Sequence, residues 1–223
     1  MNTNSRRRIL LKALFAAGLL EGVGLSGLIG RALANGNDPV AAGLRNFRGA
    51  VTINGQTARV GMLIKAGDTV VTGHDSEAIF VIGQDAFLQR DNSSVIFGDA
   101  ASGFFRIVTG KLLSVFGKGP KKLIVSTATI GIRGTGCYIE ASPEQTYFCL
   151  CYGEAEIIPV AAPEQREVIA TTHHDHPLTI SHDAAKGSIM TAAPVINHTD
   201  AELTLLENLV GRQTPFYGKG YKY

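Results

Sequence analysis

The chain has 223 residues, with 21 lysines and arginines against 19 acidic residues, 26 glycines and no tryptophan. Arg6, Arg7, Arg8, Lys12 and Arg31 against Glu21 give residues 1–34 a net charge of +4, so the whole chain's +2 leaves about −2 for the remainder. That charge removes the electrostatic case for nucleic acid, and the roughly 190 residues after position 34 suffice for one domain with a good core.

The first element is Ser5-Arg6-Arg7-Arg8-Ile9-Leu10-Leu11-Lys12, followed by an apolar stretch that ends in Ala32-Leu33-Ala34. Arg7 and Arg8, a weak apolar region and a small-x-small tail resemble a bacterial twin-arginine signal with cleavage after Ala34. This predicts export to the periplasm by a route that carries folded and sometimes cofactor-loaded proteins. A membrane-spanning helix needs roughly 20 predominantly apolar residues. Here five glycines, Lys12 and Glu21 interrupt the run, and a charge near the centre of a span costs about 2.5–3.5 kcal/mol. Contact with a membrane is therefore expected only if this segment is retained as an anchor. No second long apolar segment follows.

Residues 44–160 read as short β-type runs separated by glycine-rich turns. Ala50-Val51-Thr52-Ile53 meets Asn54-Gly55, a two-residue hairpin signal, and Thr57 to Val60 returns. Further runs are Thr69–Thr72, Glu77–Ile82, Ala86–Gln89, Ser94–Phe97, Phe104–Thr109, Lys111–Phe116 and Leu123–Ser126. Their spacing of about 8–12 residues predicts an all-β body, either an antiparallel sandwich or a short β-solenoid. In Glu77–Ile82 both alternating sets are largely apolar, which predicts cover on both faces. Cys137–Glu140 and Thr146–Tyr152 form a hairpin around Ala141-Ser142-Pro143-Glu144, and Glu154–Val160 closes the region. A C-terminal extension, 161–223, begins with a polar linker. It carries one amphipathic helix at about 200–210, capped by Thr199 and Glu202 and stopped at Gly211. Leu203, Leu206, Leu209 and Val210 share the face expected to pack on the β-body.

Several blocks carry a family resemblance. Gly49-Ala50-Val51-Thr52-Ile53-Asn54-Gly55 looks like an opening strand and hairpin. Gly61-Met62-Leu63-Ile64-Lys65-Ala66-Gly67-Asp68-Thr69-Val70-Val71-Thr72-Gly73 is similar to a "G-x-x-L-x-x-G-D-x-V-x-T-G" block. Gly110-Lys111-Leu112-Leu113, Ile132-Arg133-Gly134-Thr135-Gly136 and Gly153-Glu154-Ala155-Glu156-Ile157 follow in the same order. Together these resemble the FecR domain of bacterial periplasmic sensors and other exported proteins, over about 49–158. The resemblance implies a non-enzymatic sensor or scaffold module that meets a periplasmic protein or small ligand. Family members that regulate sigma factors carry a cytoplasmic domain and a membrane helix before this domain. Too few residues precede the apolar stretch here for such a domain, so a stand-alone exported FecR-like protein is expected, with a membrane-tethered signalling component as the alternative. From the residues themselves, Gly67-Asp68 reads as a turn in which the carboxylate bonds backbone N–H groups. Arg133, beside Gly134 and Thr135, reads as a fork partly buried on a carbonyl or carboxylate, or else as an exposed ligand anchor.

The chain departs from the family pattern at its cysteines. Cys137 takes the place of an aromatic, and Cys149 and Cys151 lie in the partner strand, two apart and so on one face. An even pairing register would gather all three, and one residue of slip would send Cys137 to the opposite side. Three readings stay open: a disulfide from Cys137 to Cys149 or Cys151, a soft-metal site completed by histidine, or buried cysteines packing as small hydrophobes. His174 and His176 would share a face of an extended segment, with His182 and His198 in nearby loops. Thiolate and imidazole suit zinc, copper or iron, which makes a metal- or redox-active periplasmic protein the second functional expectation. Enzyme motifs such as G-x-S-x-G, H-E-x-x-H or a phosphate-binding glycine loop do not occur, so no catalysis is expected.

Overall fold

The computed structural model describes residues 39–98, 104–183 and 188–219. The export signal, with Arg7, Arg8 and the Ala34 junction, lies outside the described residues. No helix among the described residues is long and apolar enough to cross a membrane.

Among the described residues, one hydrogen-bonded network of fourteen strands forms the body, connected through three long members. These are β8 (Phe104–Val115), β10 (Ala128–Ala141) and β11 (Gln145–Pro159). One half of the sheet runs through β1 (Gly43–Arg48), β5 (Glu77–Ile82) and β6 (Asp85–Gln89). It continues through the adjoining ends of the long strands to β13 (Leu178–Ser181) and β14 (Met190–Ala192). The other half contains β2 (Val51–Ile53), β3 (Gln56–Thr57), β4 (Thr69–Thr72), β7 (Ser93–Phe97), β9 (Pro120–Ile124) and β12 (Glu167–Thr171), joined by the opposite ends of the long strands. Among the described residues pairing is antiparallel except between β8 and β9, so the all-β expectation is met by a single mixed sheet.

Where the sequence suggests separate runs at 104–109 and 111–116, the structure has the single strand β8. Gly110 bends that strand without ending it: its φ is +97°, and a Cβ there would lie 2.1 Å from Ser93 Oγ and 2.4 Å from Ser93 Cα. At the β2–β3 hairpin, Asn54 and Gly55 both have positive φ (53° and 76°), as the predicted tight turn requires. The return strand is only two residues long, however, because Ala58 onward turns toward Met62.

Between the halves lies one apolar core. Phe80 and Phe87 of the first half meet Phe97 and Phe105 of the second, with Phe80–Phe97 centroids 5.4 Å apart and Phe87–Phe105 centroids 5.5 Å apart. Each such buried ring contributes about 1.5–3 kcal/mol. Strand β5 is covered on both faces as predicted. Ala78 and Phe80 enter this core, while Ile79 and Val81 belong to a second apolar layer outside the sheet.

Helix α1 (Asp200–Leu209) supplies the cover for that second layer. Thr199 and Glu202 form the expected capping box. Leu203, Leu206 and Leu209, joined by Leu205, pack on the outward residues of β5, β6 and β8. Gly211, with φ +74°, follows the last turn. Polar ties flank this contact: Arg90 Nη2 donates to Glu202 Oε1 (2.7 Å) and to the Asn197 carbonyl (2.8 Å), and Arg212 Nη1 donates to the Gln84 carbonyl (2.6 Å).

Candidate metal centre

The β10–β11 pairing decides which cysteines can meet. Tyr138 stands opposite Cys149, and Cys137 opposite Leu150. The register then passes directly from Leu150 to Tyr152 against Cys137 and Gly136, so Cys151 is an extra residue with no partner on β10. A bulge of this kind turns neighbouring side chains to one face. Cys149, Cys151 and Tyr152 accordingly all belong to the outer layer under α1, while Cys137 joins Phe148 and Leu150 in the inner core.

Cys137 is therefore corrected: it is separated from the other two thiols by the thickness of the sheet. The slipped register is the physical reason. All three cysteines are free and buried, and a cross-ladder disulfide from Cys137 would need side chains on opposite faces to meet. Burial pushes the Cys137 thiol far up, so it sits in the core as a neutral small hydrophobe.

Cys149 and Cys151 instead meet two imidazoles. The Cys149 and Cys151 sulfurs and one ring nitrogen each from His174 and His198 all lie within 4.8 Å of one another, and all four residues are buried. Cys149 Sγ is 3.5 Å from His174 Nδ1, and His198 Nε2 is 3.1 Å from the same nitrogen. Metal–sulfur and metal–nitrogen bonds of about 2.3 and 2.0–2.1 Å at tetrahedral angles give edges of roughly 3.6 Å for S–N and roughly 3.3 Å for N–N. The observed separations are close to those edges, so these four residues are the ones that would hold an ion.

Outer contacts orient both rings. His174 Nε2 lies 3.1 Å from Asp200 Oδ1, so that nitrogen donates and Nδ1 faces Cys149 and His198. His198 Nδ1 donates to the Ile196 carbonyl at 2.7 Å, which turns Nε2 inward. The His198 ring stacks on Tyr138 with centroids 4.7 Å apart, and Phe216 closes over His173 at 4.7 Å and over His174 at 6.3 Å. His173 Nε2 shares the Asp200 carboxylate at 2.9 and 3.1 Å.

The four groups shift one another's protonation strongly. Cys149 is pulled down to about 4, chiefly by a hydrogen bond from Cys151 and then by His174 and His198, against the opposing pull of burial. Burial drives Cys151 the other way, well above the ordinary thiol range. For His174, burial acts to lower the pKa, but the Cys149 sulfur and Asp200 outweigh it and raise it.

Cys149, His174 and Asp200 also stand in the order of a nucleophile, base and orienting carboxylate. Cys149 is fully buried.

The remaining expected positions fall elsewhere. His176 is exposed and does not join His174. The extended segment that would align the two is absent: His174 has φ +53°, and Asp175 Oδ2 accepts from the Thr172 and His173 amides at 3.0 and 3.3 Å, folding 172–175 into a turn. His182 is also exposed. Gly67 (φ +85°) and Asp68 form the predicted turn, with Asp68 accepting from Lys65 N (2.7 Å) and Asn54 Nδ2 (2.7 Å). Arg133 is exposed on β10 opposite Glu154, which corrects the expectation of a partly buried fork, and Thr135 is buried beside Gly134 at the second irregularity of the hairpin.

Sequence reasoning named His198 only as an available loop histidine, beside His182, and did not identify Asp200. Their signal was the position of His198 immediately before the Thr199 cap, which fixes its backbone at a helix entrance.

No family model matches the chain, and no curated protein matches it. Among solved structures, two crystal structures of a candidate anti-sigma factor from Parabacteroides distasonis ATCC 8503 are similar to it. Each has a TM-score of 0.47 and 9% identity, covering 56% of this chain and 58% of the other. The overlap is partial, and the chain spans a little over half the length of those proteins.

Proposed function

We propose that this chain is an exported, FecR-like β-domain that holds one soft divalent ion, zinc, in a closed Cys149–Cys151–His174–His198 site and acts as a non-enzymatic binding module. The carrying observation is that ligand atoms of Cys149, Cys151, His174 and His198, all buried, lie within 4.8 Å of one another. Each ring has already committed its other nitrogen as a donor, to Asp200 and to the Ile196 carbonyl. A charged His174 hydrogen-bonds His198 Nε2 through Nδ1, and an ion between the two nitrogens would take the place of that proton. With two sulfurs completing the set and no open position, the arrangement has the character of a structural zinc centre. Copper(I) and iron(II) are the competing occupants for the same donors.

The twin-arginine-like Arg7-Arg8 segment, with cleavage after Ala34, supports export to the periplasm after folding, when the metal could already be in place. The ordered FecR-like blocks support a role in meeting a periplasmic protein or small ligand. A membrane association enters only if the N-terminal segment is kept as an anchor.

The test is metal analysis with thiol counting on protein recovered from the periplasm. One zinc per chain, with three thiols that react only after denaturation, is the expected result. Absence of bound metal, or a disulfide involving Cys149 or Cys151, overturns the reading.

A further inference from the structure

Building on that metal-site reading, we infer that the site is a latch: metal occupancy determines whether helix α1 stays docked on the outer face of the sheet. The four donors come from two parts of the chain. Cys149 and Cys151 belong to the β10–β11 hairpin, which is paired into the body along its length. His174 and His198 belong to the extension, in the turn after β12 and in the segment that enters α1. His198 is two residues from the first residue of the helix, and Asp200, that first residue, holds the His174 ring. An ion gripped by all four therefore fixes the entrance of α1 to the sheet.

The energetic layout makes this entrance decisive. Leu44, Phe80, Phe87, Phe97 and the rest of the inner core form a cluster that contains no residue of α1. The outer layer, by contrast, is completed by Leu203, Leu205, Leu206 and Leu209 of the helix, laid over residues such as Ile79, Leu88 and Leu113. The sheet thus keeps its own core when the helix leaves, and the outer layer does not. Ten residues of helix are marginal in water without tertiary contacts, so α1 persists only while docked. Without the ion, the entrance of α1 is tied to the sheet at this point only by the hydrogen bonds of His174 to Cys149, His198 and Asp200. The consequence of metal loss is an uncovered apolar strip on β5, β6 and β8 in a body that is otherwise folded.

Hydrogen exchange read by mass spectrometry on the full-length chain, zinc-loaded and chelator-treated, tests this. Chelation should speed exchange of the 200–210 amides by about tenfold or more while the central amides of β8 and β10 change by less than about twofold, the pattern of a local opening. His198→Ala should show the fast α1 exchange even with zinc present. If one zinc binds and its removal leaves α1 protection unchanged, the latch is refuted and the site stands. If removal unprotects β8 and β10 equally, the latch is also refuted, since the ion then supports the whole fold. If no zinc binds, the site itself is wrong and the latch goes with it.

Discussion

Replacing the cysteines one at a time separates the two faces of the sheet. Cys149→Ala removes a donor from the outer site, whereas Cys137→Ala removes a sulfur from the inner core, where the residue has 0% exposure. Structural zinc centres bind with about 10–16 kcal/mol from four donors, or about 3 kcal/mol each. At about 1.4 kcal/mol per tenfold, Cys149→Ala should weaken binding by about 100-fold. Cys137→Ala should leave affinity within about twofold and cost about 1–2 kcal/mol of stability for the buried volume lost. Cobalt(II) titration in reducing buffer reads this directly, through visible bands from a tetrahedral site and near-ultraviolet thiolate charge transfer, with zinc competition giving the affinity. Chemical denaturation gives the stability. Loss of the spectrum in Cys137→Ala, or its survival in Cys149→Ala, would refute the assignment of faces and the register behind it.

Other variants probe the surroundings. Asp200→Asn keeps the shape but weakens the acceptor for His174, and outer carboxylates of this kind are worth about 10–100-fold in metal affinity; an unchanged zinc affinity would remove Asp200 from the site. Thr199→Ala removes the cap acceptor of Glu202 N and should cost about 1 kcal/mol, and an unshifted denaturation midpoint would contradict that role. Glu207 is buried beside the Tyr152 hydroxyl and Arg212 Nε, and burial raises its pKa. A carboxyl raised in the fold holds its proton where the unfolded chain has released it. Its contribution is therefore full below the unfolded value of about 4.5 and is lost as pH rises through the folded value. Glu207→Gln should flatten the decline in stability from pH 4.5 upward, and urea midpoints that keep the wild-type slope would exclude Glu207 as its source.

Much of the fold is legible in the sequence because the signals are local. Asn54-Gly55 specifies its turn, Glu77–Ile82 shows two apolar faces, and Thr199 with Glu202 marks the start of α1. The site is less legible because it depends on register and on distant contacts. The C-x-C spacing puts Cys149 and Cys151 on one face, but only the pairing of Cys137 with Leu150 decides that Cys137 lies on the other. His174 is recognisable as a candidate, while His176 fails because the 172–175 turn replaces the assumed extended segment. His198 reaches the thiols from 47 positions beyond Cys151; its place before the Thr199 cap marks a helix entrance, but only the docking of α1, a tertiary event, brings that entrance to the cysteines. Gly110 illustrates the same limit in the strands: a glycine reads as punctuation, and in the fold it is a bend within one continuous strand.

The proposed centre is tested most directly by X-ray absorption at the zinc edge of the purified, metal-loaded protein. One zinc with two sulfurs at about 2.3 Å and two imidazole nitrogens at about 2.0 Å is the result expected from Cys149, Cys151, His174 and His198. A shell of oxygens and nitrogens without sulfur would contradict it.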